Sequence, residues 1–468
     1  MTLQPNATLP AVVDLIVLGG GLAGHSAALE GAAAGKSVLL LEKTGQYGGS
    51  TVLSSGSFAF ADTAAQREKG IQDTDELLRA DIQKASGGRV VPALAELYVE
   101  EQRDCYAWLL QQGVEFHPIA LSSNQGVPRT HPTDPWQLMR ALHARLRENP
   151  RIQYVDNLSA SGLDTDAGGT VTGVLTAEGR KVEARLGVVL ATGGFSRDRE
   201  LIDKFCPRLA NALVLGGEGN TGDGLKMAWK LGADLLDMPF ITGTFGVSLN
   251  NYPRTTIDAG QEPRLTLSIY KGGIAVNKKA ERFADESISY KVLGEICLQQ
   301  PDGVGFQVWD QKIMDQSAPQ PTSNDLEEAY RKGLVHKAED IASLAKLVGL
   351  DPERLQQTVA RYNEDVAAGA DTVFGRTGLG RGWGKLVAID TAPFYIYPCS
   401  TGVVATYCGL KVDAGMRVID VRGAAIPRLL AAGEIVGGFH GSGYMSGSSL
   451  SKSVIFGRVA ARTAVEQA

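Results

Sequence analysis

The sequence predicts a two-domain α/β fold, and three observations support this prediction. The chain has 468 residues, which is long for a single hydrophobic core. Its first and last parts both contain apolar strand patterns that close on glycine. The region between them mixes aromatic residues with charged helical segments and has few such strands. We therefore expect one domain from residues 1–237 and 376–468, interrupted by an α+β cap domain at 238–375.

The segment DLIVLGGGLAGHSAALEGAAAGKSVLLLEK has the pattern of a complete βαβ unit. An apolar strand enters a glycine turn, a helix of small residues follows, and a second strand ends at Glu42. Gly19, Gly21 and Gly24 have G-x-G-x-x-G spacing, which permits a tight turn, close approach of a pyrophosphate and close helix–sheet packing. Glu42 stands where a carboxylate accepts hydrogen bonds from a ribose. The pattern predicts a Rossmann-type dinucleotide-binding domain.

Later segments extend the same domain. TVTGVLTAEGRKVEARLGVVLATGGF predicts a strand, a turn, a second strand and a buried strand that ends near Ala191. IPRLLAAGEIVGG predicts another buried strand, closing on Glu434, and GSSLSKSVIFGRVAARTAVEQ predicts a long amphipathic helix capped by serines. Both ends of the chain are therefore expected to build one sheet.

Composition excludes several classes of protein. The net charge is −6 without a lysine or arginine run, so nucleic-acid binding has no electrostatic basis. No apolar run approaches the ~20 residues that span a bilayer, and the N-terminal segment lacks the features of a signal peptide. Five scattered cysteines predict neither a disulfide framework nor a metal site. A cytoplasmic protein without a metal is expected.

Several motifs, taken in order, resemble one known superfamily nearly from end to end. They are GGGLAG, LEK, GGST, ATGGF, GNTGDGLKMAWKLGA, GGIAVNKKAERFADE, IPRLLAAGE and SLSKSVIFGR. The sequence resembles the flavoproteins of the fumarate reductase and 3-ketosteroid dehydrogenase superfamily, and within it the ketosteroid Δ4-(5α)-dehydrogenase branch. This resemblance implies a glutathione-reductase-like FAD-binding domain, a substrate-binding cap and a small-molecule substrate.

The resemblance implies FAD as the cofactor. Glu42 would bind the ribose, Glu434 would lie near the ribityl chain, and the last helix would point its first amides at the flavin pyrimidine. A helix N-terminus there stabilises the negative charge of reduced flavin. No histidine stands near GGST, as covalent attachment in some relatives requires, so non-covalent FAD is expected. The expected cofactor-binding residues are Gly19, Gly21, Gly24, Glu42, Lys43, Gly49, Ser50, Thr51, Thr192, Gly193, Asp223, Glu434, Ser449 and Leu450.

Three positions depart from the dicarboxylate reductases of that superfamily. Where those enzymes carry two arginines and a histidine, this sequence has Tyr290, Tyr444 and Ala405. Ketosteroid dehydrogenases instead read N-E-x-x-P-Y and use that tyrosine as a proton acceptor. DESISY resembles this pattern, with Ser289 in place of proline. GYMSGSSL resembles the Δ4-(5α) branch, which makes Tyr444 and Ser446 candidate catalytic residues beside Tyr290.

The chemistry explains the exchange of arginine for tyrosine. An arginine keeps its proton at ordinary pH. A tyrosinate can accept a carbon-bound proton, although an unperturbed phenol has a pKa of about 10. Desaturation next to a ketone needs such a base at the α carbon while a hydride leaves the β carbon for the flavin. We therefore expect an FAD-dependent oxidoreductase acting on CH–CH groups of a 3-ketosteroid or a smaller oxocyclohexane such as 4-oxocyclohexanecarboxylate. Tyr290 is the expected base, assisted by Tyr444 and Ser446.

Two other functions remain open. An ene-reductase of fumarate-reductase type, acting on a conjugated ketone or acid, would use the same residues in reverse. Its direction depends on an electron partner that the sequence does not identify. A flavoprotein subunit that only relays electrons is the second alternative, although the cap and the paired tyrosines favour a substrate. Substrate size, stereochemistry and oligomeric state are also open.

Some further side chains have both a functional and a structural interpretation. His25, within the first helix, is interpreted as structural. The segment PRTHPTD would bind substrate or shape a loop, and the loop is favoured. A keto-acid substrate would need a cationic anchor. The candidate anchors are Arg129, Arg254 and Arg264, and Tyr47 and Tyr407 are candidates for lining the pocket.

Overall fold

The computed structural model describes residues 9–258, 261, 263–319, 322–379 and 384–467. The strands are β1 (Val12–Leu18), β2 (Val38–Leu41), β3 (Ser57–Ala59), β4 (Thr130–Pro132), β5 (Ile152–Val155), β6 (Ala160–Thr165), β7 (Val171–Thr176), β8 (Lys181–Leu190), β9 (Leu213–Val214), β10 (Leu235–Leu236), β11 (Thr244–Ser248), β12 (Ile274–Asn277), β13 (Gly305–Asp310), β14 (His336–Ala338), β15 (Phe394–Val403), β16 (Gly409–Leu410), β17 (Arg417–Ile419) and β18 (Ala425–Ala431). The helices are α1 (Leu22–Ala33), α2 (Ala64–Glu68), α3 (Asp75–Ala85), α4 (Pro92–Gln111), α5 (Pro135–Glu148), α6 (Arg199–Phe205), α7 (Asp223–Lys230), α8 (Tyr290–Leu298), α9 (Gln311–Met314), α10 (Leu326–Arg331), α11 (Ile341–Leu347), α12 (Pro352–Ala368) and α13 (Ser448–Glu466).

The chain forms two compact units. Unit 1 contains the residues up to Cys206, Gly216–Ile241 and the residues from Ala405 onward. Unit 2 contains Pro207–Leu215 and Thr242–Val404. The first eight residues, on which the expectation about targeting features partly depends, lie outside the described part of the chain. The apolar stretch that follows them forms β1.

The main sheet of unit 1 has the strand order β17-β18-β8-β1-β2-β5. The neighbouring pairs from β18 to β5 are all parallel. β18 comes from the C-terminal part of the chain and lies beside β8, with Leu430 opposite Val189. Leu15, Ile16 and Val17 of β1 are fully buried, as expected for a parallel strand covered on both faces. The prediction that both ends of the chain build one sheet is confirmed.

The predicted strand, turn and second strand are confirmed as β7 and β8, but the buried strand expected to follow them is wrong as a separate element, because β8 runs without a break to Leu190. β6 pairs with β7 and β7 pairs with β8, both antiparallel, so this segment leaves the parallel sheet and returns to it. Two helices from opposite ends of the chain, α1 and α13, pack closely. A Cβ added at Gly457 of α13 would lie 2.4 Å from the carbonyl oxygen of Ala23 in α1. The small residues of both helices therefore allow their backbones to approach.

Unit 2 is built on a mostly antiparallel sheet with the order β11-β15-β13-β12, to which β9 and β14 add by pairing with β15. Its buried core includes Phe306, Trp309 and Ile396. The expected division at residue 375 differs from this unit, because β15 pairs with β11 and β13 and extends unit 2 to Val404. The sequence of an apolar strand does not indicate which sheet it will join. The role of this unit in substrate binding remains a proposal.

Candidate functional site

The glycine turn after β1 has the close contacts that its sequence predicts. Gly19 has φ +111°, and a Cβ there would lie 2.3 Å from the carbonyl oxygen of Ala191. A Cβ at Gly24 would lie 1.9 Å from the carbonyl oxygen of Gly19. Gly21 is the N-cap of α1. Glycine at positions 19 and 24 is therefore needed for the turn itself, whatever binds to it.

Glu42 follows β2 directly and holds the glycine turn. Its Oε2 accepts the backbone N–H of Gly20 at 2.7 Å. Its Oε1 accepts the backbone N–H and the hydroxyl of Thr44, both at 2.8 Å. The residue is only 7% exposed. The carboxylate thus organises the turn in addition to its predicted role at a ribose.

A second turn, Gly48 to Thr51, faces the first. The Oγ1 of Thr51 accepts the N–H of Leu22 in the first turn of α1, at 3.2 Å. The hydroxyl of Ser50 accepts the N–H of Gly217 at 3.0 Å. A Cβ at Gly21 would meet no described heavy atom closer than 3.9 Å, and one at Gly49 none closer than 4.0 Å. A Cβ at either position would therefore make only ordinary van der Waals contacts. The N–H groups at the start of a helix favour an anion such as a pyrophosphate.

Lys43 and Asp223 form an ion pair. The ammonium of Lys43 lies 2.6 Å from Oδ2 of Asp223, and Thr221 donates to Oδ1 of Asp223 at 2.9 Å. Asp223 is the first residue of α7. Asp223 therefore begins a helix and also lies beside Lys43, another expected cofactor residue.

Glu434 lies after β18, against the glycines that follow β8. Its Oε1 accepts the N–H of Thr406 at 2.9 Å, and the amide of Asn220 donates to its carboxylate at 3.2 Å. Burial raises the pKa of Glu434. Gly194 packs so closely that a Cβ there would lie 2.3 Å from Oε1 of Glu434. In the same region the hydroxyl oxygen of Thr192 is buried without a hydrogen-bond partner among the described residues, so a polar ligand there would satisfy it.

The start of α13 differs from the prediction in its cap. The N-cap is Gly447, with φ +88° and no side-chain cap, so the expected serine cap is wrong. Ser448 instead donates its hydroxyl to the carbonyl of Met445 at 2.6 Å. The residue before the helix must adopt a left-handed conformation, which glycine accepts and serine does not. A Cβ at Gly447 would also lie 2.5 Å from the carbonyl carbon of Phe58.

Tyr444 lies at this helix terminus. Burial raises the pKa of Tyr444 to about 12, and the nearby backbone N–H groups of Gly447 and Ser449 partly offset this rise. Its ring stacks on Tyr407 with centroids 5.0 Å apart, and His440 lies 4.8 Å from the Tyr407 ring. Tyr407 has φ +57°, which is rare for an aromatic residue. One of the helix amides expected to face a flavin, that of Ser449, thus lies near a candidate catalytic tyrosine.

The loop that carries Tyr444 and Ser446 is held by a segment that the sequence analysis missed. Asn124 donates to the carbonyl of Tyr444 at 2.6 Å, and Gln125 donates to the carbonyl of Ser446 at 2.9 Å. The N–H of Ser446 donates to the carbonyl of Ser123 at 3.0 Å. The polar run SSNQG is the only sequence signal of this role, and it reads as an ordinary loop.

In unit 2, Tyr290 is the first residue of α8 and is partly buried. Its N-cap is Ser289, whose hydroxyl accepts the N–H of Lys291 at 3.3 Å. The hydroxyl of Tyr270 accepts the N–H of Tyr290 at 2.7 Å and donates to the carbonyl of Ile288 at 2.9 Å. The two tyrosine rings are 6.4 Å apart in an edge-on arrangement. Tyr270 was not identified from the sequence, because nothing local links it to a residue twenty positions later.

The three arginines considered as carboxylate anchors all have protein partners. Arg129 is fully buried and donates to Asp73 at 2.7 Å and to Asp81 at 2.7 Å. Arg264 donates to the carbonyl of Thr322 at 2.8 Å. Arg254 is exposed and pairs with Asp258 at 3.0 Å. The segment PRTHPTD therefore has a structural role, as favoured, since Arg129 neutralises two carboxylates within unit 1.

The histidines of unit 1 near these segments also have structural partners. His25 is buried, with Nδ1 3.1 Å from the carbonyl of Gly21 and Nε2 3.1 Å from Nδ1 of His143. Burial lowers the pKa of His25 to about 3. Tyr47 stacks on His143 at 3.9 Å. His131 bridges Arg129 and Thr63, and burial lowers its pKa to about 4. Both buried histidines are therefore neutral at ordinary pH.

The chain belongs to the family described as "FAD binding domain", whose model matches residues 14–450. It is 30% identical to urocanate reductase of Eggerthella lenta, covering 98% of this chain and 76% of that protein. It is 29% identical to a fumarate reductase (cytochrome) of Shewanella frigidimarina, covering 97% and 77%. It is 28% identical to 4-oxocyclohexanecarboxylate 2-dehydrogenase of Sinomonas cyclohexanicum, covering 97% and 93%.

Solved structures show the same fold. The open conformation of a flavocytochrome c3 fumarate reductase superposes with a TM-score of 0.84 at 25% identity, covering 98% of this chain and 79% of that one. The 3-ketosteroid-Δ4-(5α)-dehydrogenase of Rhodococcus jostii RHA1, in complex with 4-androstene-3,17-dione, gives 0.72 at 25% identity, covering 98% of both. The protein is therefore an FAD-dependent oxidoreductase of this superfamily, as the resemblance implied.

The residues of unit 1 fit FAD. The N-terminus of α1, the carboxylate of Glu42 beside it and the hydroxyl of Thr192 are suited to the pyrophosphate, ribose and polar edge of that cofactor. In the described part of the chain, no cluster of three His, Cys, Asp or Glu residues could hold a metal ion. No described helix is long and apolar enough to cross a membrane. All five cysteines are buried, and none of them forms a disulfide bond within the described part of the chain.

Proposed function

We propose that this enzyme oxidises a saturated cyclic ketone to its α,β-unsaturated form, with Tyr290 as the base. The substrate class is a 3-ketosteroid or a smaller oxocyclohexane such as 4-oxocyclohexanecarboxylate. The supporting observation is the anchorage of Tyr290: the first residue of α8 is fixed through its N–H by the buried hydroxyl of Tyr270. A phenol held in this way can be presented to a substrate in one orientation.

The bond changes balance with Tyr290 as the only proton acceptor. The α C–H bond breaks and its proton passes to the Tyr290 oxygen, while the β C–H bond breaks with its electron pair and the C=C bond forms. FAD, when bound, supplies the two-electron acceptor for that hydride. Charge that develops on the ketone oxygen needs hydrogen-bond donors, each worth ~2.7–4 kcal/mol of transition-state stabilisation. We assign that task to Tyr444 and Ser446, and the raised pKa of Tyr444 keeps its phenol protonated as a donor.

The relatives support the choice of reaction and leave its direction to experiment. One carries the name of a dehydrogenase of a ring ketone, and a solved structure holds a 3-ketosteroid. Others carry the names of reductases of conjugated acids. An ene-reductase acting on a conjugated ketone or acid is therefore the second candidate. By microscopic reversibility, Tyr290 would then deliver the proton that it removes in the oxidation.

The decisive experiment is anaerobic bleaching of the oxidised flavin band. The purified protein is mixed separately with a 5α-saturated 3-ketosteroid, with 4-oxocyclohexanecarboxylate and with succinate. Bleaching by a ketone and not by succinate supports the proposal and selects the substrate size. Bleaching by succinate alone contradicts it. If none of the three bleaches the flavin, reoxidation of the chemically reduced protein by a conjugated ketone or acid tests the ene-reductase.

A pair of tyrosine variants tests the base. Tyr290→Phe should retain FAD and lose reduction of the flavin by the ketone. The matched control is Tyr330→Phe, which removes the hydroxyl of an exposed tyrosine in α10 and should reduce at the normal rate. A normal rate for Tyr290→Phe would show that Tyr290 is not the base.

We also propose that the FAD is non-covalent, so acid precipitation should release it into the supernatant.

A further inference from the structure

Lys291 is a buried cation beside the proposed base. It is the second residue of α8 and only 5% exposed. Its ammonium donates to the hydroxyl of Thr244 in β11 at 2.6 Å. Thr244 is itself 1% exposed, so this hydrogen bond lies inside unit 2. An ammonium taken out of water loses its hydration, and a neutral hydroxyl replaces only part of it.

The ammonium of Lys291 lies over the ring of Tyr290. Its Nζ is 5.6 Å from the centre of that ring. A cation within 4–6 Å favours the charged form of an acidic group, and the low polarity of a buried site strengthens the effect. The hydrogen bond to Thr244 keeps the lysine side chain on this side of the helix. Contacts to β11 and to the phenol ring thus contribute to the position of the charge.

The carboxylates of Glu286 and Asp371 pair with arginines, and that of Asp285, just before α8, accepts the backbone N–H of Ser287 at 2.8 Å. Glu286 accepts from Arg282 at 2.7 Å and from Arg376 at 3.2 Å, and Asp371 shares Arg282. Glu295, further along α8, pairs with Arg208 at 3.0 Å.

The remaining described contacts of α8 within unit 2 are neutral. From β15, Thr401 donates to the carbonyl of Gly294 at 2.8 Å. From the segment Ser268–Lys271, the hydroxyl of Tyr270 is kept protonated by burial, which raises its pKa.

We propose that the ammonium of Lys291 stabilises the tyrosinate form of Tyr290 and so allows a phenol to act as the base at neutral pH. This inference rests on the proposed role of Tyr290. Lys291 acts through Tyr290 and is therefore a positioning residue, with Thr244 fixing its charge.

The test is the pH dependence of flavin reduction by the ketone in Lys291→Met, Lys291→Arg and Lys332→Met. In Lys291→Met the midpoint of the rise in rate should move to higher pH by about one unit or more. The rate at neutral pH should then fall about tenfold, with recovery at high pH. Lys291→Arg should keep the midpoint near that of the parent. Lys332→Met, which changes an exposed lysine of the segment after α10, should match the parent.

A second measurement does not depend on turnover. The tyrosinate absorbance of the parent is titrated against that of Tyr290→Phe, and the difference reports Tyr290 alone. The same difference, taken between Lys291→Met and the double variant Lys291→Met/Tyr290→Phe, should appear at higher pH. If Lys291→Met does not fold, Thr244→Val tests the same charge by removing its acceptor and should shift the midpoint in the same direction.

The outcomes separate this inference from the proposed function. A midpoint that is unchanged in a folded Lys291→Met variant, with the rate lowered equally at every pH, would overturn the role of Lys291 while Tyr290 remains the base. Normal flavin reduction by Tyr290→Phe would overturn the proposed function first, whatever Lys291 does.

Discussion

The backbone N–H of Tyr290 donates to the hydroxyl of Tyr270 at 2.7 Å, and the same hydroxyl donates to the carbonyl of Ile288 at 2.9 Å. The first N–H groups of a helix have no partner within it. Here a buried side chain supplies that partner for the first residue of α8. The phenol of Tyr270 is therefore a bridge between two backbone groups that flank Ser289, and it fixes where α8 begins.

We expect Tyr270→Phe to weaken both stability and catalysis. The change leaves the N–H of Tyr290 and the carbonyl of Ile288 without their common partner, at a cost of about 1–3 kcal/mol in the free energy of unfolding. Ketone-driven flavin reduction should slow because Tyr290 is less well positioned, while the pH midpoint stays in place because Lys291 is unchanged. Denaturant unfolding and anaerobic stopped-flow kinetics measure the two effects. A variant with parental stability and rate would show that the bridge is dispensable.

Lys452 allows a test of how burial in unit 1 changes a pKa and, through it, the pH dependence of stability. This lysine of α13 is fully buried, donates to the carbonyl of Val436 at 3.0 Å and lies near the rings of Phe439 and Phe456. Burial lowers the pKa of Lys452 to about 8, from an ordinary value of 10.5. Between pH 8 and pH 10.5 the unfolded chain holds more protons at Lys452 than the folded chain does. The free energy of unfolding therefore rises as the pH rises through this window, and it falls as the pH falls.

The prediction concerns the slope of the unfolding free energy against pH. From pH 8 to about 10, the parent should gain up to about 1.4 kcal/mol of unfolding free energy per pH unit relative to Lys452→Met. Lys230→Met, at an exposed position in α7, should follow the parent. Denaturant midpoints across this pH range measure the difference. Parallel curves for the parent and Lys452→Met would mean that the lysine keeps its ordinary pKa when the protein is folded.

The sheet of unit 1 could be predicted because its signals are local. The run Leu15–Leu18, the glycines that follow it and Glu42 are all neighbours in sequence, and each needs its residue type for a steric or hydrogen-bonding reason. β18 could be predicted for the same reason, as an apolar strand that ends in glycine and Glu434. Its place beside β8 was not predicted, because the sequence indicated only that both ends of the chain share one sheet.

What the sequence could not predict depends on contacts between distant residues. Nothing near Tyr290 indicates Tyr270, and nothing near Tyr444 indicates Asn124, because each pair meets only after folding. The cap of α13 was wrong because serine is a good N-cap in general, whereas this helix starts from a left-handed backbone against Phe58. The sequence analysis assigned the segment of β15 to the FAD-binding domain, because an apolar strand does not indicate which strands it will pair with.

The glycine turn allows a direct test of how the cofactor site is built. A Cβ at Gly24 would lie 1.9 Å from the carbonyl oxygen of Gly19, so Gly24→Ala must displace the turn or the start of α1. We expect at least a tenfold weaker affinity for FAD, equivalent to about 1.4 kcal/mol, because the N–H groups of this turn lose their alignment. The control is Gly162→Ala in β6, where a Cβ meets no described atom within 4 Å. FAD is stripped from both variants, and rebinding is followed by quenching of flavin fluorescence. Equal affinities would mean that α1 can move away from β1 without disturbing the cofactor site.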